Sequence, residues 1–128
     1  MMLSAADDID ALSAEPLLSG SAARVSLLPT QWVRYPLRPK PRGNVAKFGG
    51  LVALDIARPG TYRIALGSHA RVDVVVAGAA LEPKAHGHGP GCTGISKMVD
   101  YELQPGRHIL QLSGNGEAQT SVLIAQLA

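Results

Sequence analysis

A chain of 128 residues with one cysteine holds a single domain and excludes an internal disulfide as its staple. Apolar residues make up 46% of it but aromatics only 4%, so the core has to be built from Val, Ile, Leu and Ala. A formal net charge of +2 with so few stacking rings argues against a nucleic-acid partner.

Gly 14 and Pro 9 point to many turns between short elements, which suits an all-β domain. No apolar run approaches the ~18 residues of a membrane span, so no membrane partner is expected. The opening "MMLSAADDID" has neither the basic start nor the apolar stretch of an export signal.

Residues 1–23 read as an N-terminal arm. Asp7, Asp8, Asp10 and Glu15 alternate with Ile9, Leu12, Leu17 and Leu18. A short helix near Asp7 to Ala14 is expected, ended by Pro16, or else an arm lying along an edge or reaching a second copy of the chain. From Arg24 the period changes to two, and residues 24–128 read as one β-sandwich domain. "RVSLL" and "QWVRYPL" form a strand pair or one broken strand around Pro29. "PLRPKPRGNV" follows, with Pro36, Pro39 and Pro41, and predicts an extended crossing or an edge. Its cations, with Arg34 and Lys47, make a basic run that reads as solvated surface.

The remaining segments alternate as half-buried antiparallel strands do. "LVALDIA" sets Val52, Leu54 and Ile56 on one face; "TYRIAL" does the same with Tyr62, Ile64 and Leu66. "RVDVVVA" presents Val72, Val74 and Val76, and "ISKMVDYEL" presents Ile95, Val99, Tyr101 and Leu103. "RHILQLS" aligns His108 with Leu110 and Leu112, and "QTSVLIAQL" aligns Val122 with Ile124. "RPGTY" and "QPGRH" place Pro-Gly between strands, the pairing of a type II turn; "LGSHAR" and "SGNGEA" mark two more reversals. Together these imply an all-β, two-sheet, jelly-roll-like sandwich.

The stretch that carries chemistry is "AHGHGPGC", Ala85 to Cys92. In extended chain His86 and His88 point the same way, with roughly 6–7 Å between their Cα atoms. Cys92 follows Gly89, Pro90 and Gly91, which let the backbone curl back. Two imidazoles and a thiolate converging on one point suit Zn²⁺ or copper, with His108, Asp100 or water as the fourth ligand. An open position would permit hydrolytic chemistry. The structural alternative is a glycine-rich turn whose histidines bond to backbone and whose cysteine is a small core residue. His69, in its turn, reads as solvated. Lys97 lies on the apolar phase of its strand, so it must snorkel, pair with Asp73 or Asp55, or line a pocket as an anion-binding group beside the histidine loop. A Cys92–His86 nucleophilic dyad lacks the rigid elbow that would lower the thiol pKa.

From Gly49 onward the pattern "PGTYRIAL…RVDVVVAGAAL…AHGHGPGCTGISKMVDYELQPGRHILQLSGN" resembles a family of small alphaproteobacterial proteins of unknown function. The resemblance implies a bacterial, exported (periplasmic) protein, and some of those proteins are labelled homogentisate dioxygenase. That enzyme class uses a His, Glu and His iron site in a much longer chain, whereas here Glu82 stands only four residues before His86. In strand order the chain is also similar to small β-sandwich modules appended to secreted peptidases, which implies binding or assistance without catalysis. The expectation is therefore a non-catalytic binding or accessory module, with His86, His88, Cys92 and His108 as metal candidates. A small metal-dependent enzyme, hydrolase or dioxygenase-like, at the same loop is the alternative. An interaction protein that self-associates through the acidic arm and the basic "RPKPR" segment is a third.

Overall fold

The computed structural model describes residues 2–12, 16–39, 47–89 and 94–127. Among the described residues twelve strands run in chain order: β1 (Met2–Ser4), β2 (Leu17–Leu18), β3 (Ala22–Ser26), β4 (Leu28–Pro29), β5 (Phe48–Ile56) and β6 (Gly60–Leu66). They continue with β7 (Arg71–Val76), β8 (Ala79–Ala80), β9 (Ala85–Gly87), β10 (Lys97–Leu103), β11 (Gly106–Asn115) and β12 (Gln119–Gln126). The long strands coincide with the segments of period two, because alternation gives each strand one apolar face to bury in the core. No helix among the described residues is long and apolar enough to cross a membrane.

Two sheets stack face to face. One has the order β1-β3-β12-β6-β10-β9 and the other β2-β5-β11-β7-β8, with β4 alongside β5. Numbered among themselves, the eight strands β3, β5, β6, β7, β8, β10, β11 and β12 take the orders 1-8-3-6 and 2-7-4-5. That is jelly-roll connectivity. Short parallel additions, β1 on β3 and β2 on β5, make both sheets mixed. Between the sheets Val52, Leu54, Val74, Leu110 and Leu112 meet Ile64, Leu66, Tyr101, Val122 and Ile124, all buried. Fully burying each such side chain contributes about 1.5–3 kcal/mol, and this layer is the main source of stability.

The N-terminal residues are part of this frame. The helix expected near Asp7 to Ala14 is reduced to one 3₁₀ turn, Ile9–Ala11, capped by the Asp8 carboxylate, which accepts from the Ala11 amide at 2.8 Å. Ser13 to Glu15 lie outside the described residues. β1 and β2 enter different sheets, so Leu3 and Leu17 are core residues instead of parts of a loose arm. The driving force is burial: a free arm would leave both leucines in water.

The β5–β11 sheet has a second covered face, which alternation alone does not foretell. Leu51, Ala53, Val75, Gln111 and Ser113 point away from the main core and are buried as well. Ala6 bridges to Leu51, and the Arg34 amide donates to the Asp7 carbonyl at 2.6 Å, which ties the two covering segments together. "QWVRYPL" is accordingly no strand: after a 3₁₀ turn at Thr30–Trp32 it crosses the sheet as an extended strap. The Gln111 side chain clamps this strap by both ends of one residue. Its Nε2 donates to the Leu37 carbonyl at 2.8 Å, and its Oε1 accepts from the Leu37 amide at 3.1 Å. Gly49 leaves the space that the Tyr35 hydroxyl fills, where a β-carbon would collide with that hydroxyl and the Leu112 carbonyl. Burial pushes the Tyr35 phenol pKa up, while the Thr30 hydroxyl beside it pulls the other way. Pro41 and the cations Lys40 and Arg42 lie outside the described residues, whereas Arg34 and Arg38 are exposed.

Turn chemistry sets the register at three places. Val76 pairs with Ala79 across Ala77 and Gly78, both of positive φ (51° and 79°), a two-residue hairpin of the primed kind. Gly106 takes φ 124° after Pro105. Gly114, at φ 66°, lies where the β11–β5 register slips between Leu112 and Asn115.

Candidate functional site

β9 is an edge strand, and its register decides where the histidines go. His86 pairs with Val99, Gly87 with Met98 and Ala85 with Asp100. Partners across a ladder share a face, so His86 projects to the same side as Val99, toward the opposite sheet. His88, one alternation further, comes beside Lys97 on the same side. Both imidazoles are exposed because β9 is the last strand of its sheet.

Opposite them stands β7, near the edge of the other sheet. The chain passes between the two edges through residues 81–84, held at one end by the Leu81 amide on the Val74 carbonyl (2.8 Å). At the other end the Lys84 amide bonds to the Asp100 carbonyl (2.7 Å). The two sheet edges enclose a cleft of about 340 Å³. Val72, Val99 and the Tyr101 ring give it an apolar floor, and Arg71, Asp73, Lys97, His86 and His88 stand around its rim.

Most rim groups have a structural partner. The Lys97 ammonium donates to the Ala70 carbonyl at 2.9 Å, which is how a cation is accommodated on an apolar phase. Of the two acids proposed for it, Asp73 bonds to Arg71 at 3.0 Å and Asp55 to Arg107 at 2.8 Å. The Tyr101 hydroxyl donates to the Val72 carbonyl at 3.3 Å. Burial, and then the Asp73 carboxylate, push its pKa well above that of an ordinary phenol, so the group stays protonated. His88 approaches the Ser96 carbonyl through Nδ1 at 3.3 Å. A carbonyl only accepts, so Nδ1 carries the proton there and Nε2 is the nitrogen available to a ligand. The His69 ring meets His88 edge-on, with centroids 6.4 Å apart and an interplanar angle of 63°.

The proposed ligand set is brought together only in part. His86 and His88 share the cleft. Cys92, with Pro90, Gly91 and Thr93, lies outside the described residues. His108 is elsewhere: it sits on β11 opposite Leu54, and its Nε2 lies 2.7 Å from the Gln104 carbonyl, closing the Pro-Gly turn. Asp100 alternates to the other face of β10, where Arg63 holds it through two bonds of 2.8 and 3.0 Å. Among the described residues no three His, Cys, Asp or Glu side chains are grouped to hold a metal ion. Arg71 and Tyr101 were not singled out as site residues by sequence. The one available signal was Lys97, a cation on the core phase of the strand that lines the cleft.

No family model, no curated protein and no solved structure matches this chain.

Proposed function

We propose that the chain is a non-catalytic binding module, an accessory domain whose working surface is the cleft beside His86 and His88. The observation that carries this reading is the make-up of the cleft: apolar Val72, Val99 and Tyr101 beside two imidazoles, the Lys97 and Arg71 cations and the Asp73 carboxylate that pairs with Arg71. Small-molecule sites combine an apolar lining with a few convergent polar groups in this way. Tyr101 and Lys97 are engaged with backbone carbonyls and Asp73 with Arg71, so the imidazoles of His86 and His88 are the groups presented to a ligand. Two imidazoles and the Lys97 ammonium, with Arg71 offset by Asp73, suit a ligand with one negative charge on a compact apolar body.

A metal reading has its own support. The Nδ1 contact from His88 to the Ser96 carbonyl is the kind that fixes the tautomer of a ligating imidazole. Zn²⁺ or copper would take His86 and His88 and complete its shell with water or with Cys92. An open coordination position would then suit a small metal-dependent enzyme.

Calorimetric titration of the full chain with hexanoate, benzoate, Zn²⁺ and Cu²⁺ tests both readings. Saturable carboxylate binding, lost in the His86→Ala/His88→Ala double variant, is expected. Metal binding alone, lost in the same variant, would move the assignment to a metal centre. Binding of no probe, or binding that the double variant retains, overturns the cleft as the working surface.

A further inference from the structure

A second and larger cavity, of about 560 Å³, lies at the end of the sandwich where the β6–β7 turn, the β11–β12 turn and the segment entering β10 meet. Its character is unlike that of the cleft. Among the described residues not one apolar side chain lines it; glycines 67, 114 and 116 present bare backbone, and the other lining residues are polar or charged. The wall is organised by its own bonds. Ser68 and Thr120 share a hydroxyl–hydroxyl bond of 2.7 Å, and Arg24 donates to the Gln119 amide oxygen at 3.1 Å. The Asn115 amide ties the turn to the Glu117 and Gln119 carbonyls at 2.7 and 3.1 Å.

With polar and charged side chains around it, the cavity offers a ligand hydrogen bonds and charge on several sides. Arg24 and Lys47 are donors with positive charge, whereas the Glu117 carboxylate and the Gln119 amide oxygen accept. A bare oxyanion would meet the Glu117 carboxylate unfavourably. A molecule that carries both hydroxyls and one negative charge satisfies both sets. We infer that this end of the sandwich binds a small acidic sugar, its carboxylate toward Arg24 and its hydroxyls toward Ser68, Thr120 and Glu117. The inference stands apart from the cleft, although His69 lines this cavity and touches His88 of the other.

Nuclear magnetic resonance of the ¹⁵N-labelled full chain, titrated with glucuronate, glucose and sulfate to ~10 mM, tests it. Glucuronate is expected to shift the amides of Ser68, Ser96, Gln119 and Thr120 saturably, with glucose much weaker. Arg24→Gln should weaken glucuronate about tenfold or more, as expected for loss of a charge-assisted hydrogen bond. Arg24→Lys should lie between, and the His86→Ala/His88→Ala variant should bind unchanged. Arg24 is exposed, so its replacement leaves the core intact. Silence toward all three probes overturns the site; equal response to sulfate and glucuronate overturns the sugar assignment.

Discussion

Replacing Gln111 with Met tests how the strap over the β5–β11 sheet is held. The side chain is 1% exposed and makes two bonds to the backbone of Leu37, at 2.8 and 3.1 Å. Methionine keeps the volume but neither donates nor accepts in the amide's place. Each bond contributes about 1 kcal/mol net, and Leu37 is only half-buried, so water can partly satisfy what is left unpaired. The expected loss is about 2 kcal/mol. For a domain of this size that corresponds to a fall in Tm of roughly 6–10 °C, read by circular dichroism. Hydrogen exchange at the Leu37 amide gives an independent reading, because local opening of the strap should speed it before the core unfolds. A Tm within ~2 °C of the parent, with Leu37 protection unchanged, would refute the clamp.

Three further outcomes follow from other parts of the fold. Ala77, at φ 51°, occupies a position that favours Asn or Gly, so Ala77→Asn should raise stability by about 0.5–1 kcal/mol in a urea titration. Tyr101→Phe removes the bond to the Val72 carbonyl and should cost about 1 kcal/mol at neutral pH. Because the folded-state pKa of Tyr101 is raised, its stabilising share is full below the ordinary phenol value of ~10 and is lost above it. The gap between variant and parent should therefore close as pH rises past ~10 in parallel denaturation curves. The Asp55 pKa is lowered, chiefly by its hydrogen bond to Arg107, so that contribution is present above ~3.9 and lost as acid protonates the folded carboxylate. Arg107→Gln should lower the denaturation midpoint near neutrality and leave it unchanged at about pH 2.

The main sandwich was legible because its strands obey one rule: Val52/Leu54/Ile56, Tyr62/Ile64/Leu66 and Val122/Ile124 recur at every second position, and all of them face the core. The two-residue spacing of His86 and His88 likewise puts both on one side of an extended chain. What alternation cannot show is a strand buried on both faces. The run Leu51–Leu54, preceded by two glycines, carried that signal, since a continuous apolar run with no side chains before it invites a cover. The cover itself was hidden because its contacts, Ala6 with Leu51 and Leu37 with Gln111, join residues far apart in sequence and of unremarkable type. The position of His108 was illegible for a different reason. Its phase with Leu110 and Leu112 is correct, but its partner is the backbone carbonyl of Gln104, which no side-chain pattern announces.

The most direct measurement reads the imidazole nitrogens themselves, by ¹⁵N resonance of the ring atoms while hexanoate or Zn²⁺ is added to the full chain. The account predicts that His86 and His88 respond together, His88 through Nε2, that His69 follows through its ring contact, and that His108 stays still. Movement of His108 with His86 and His88 unchanged would contradict the claim that the β7–β9 cleft is where this domain binds.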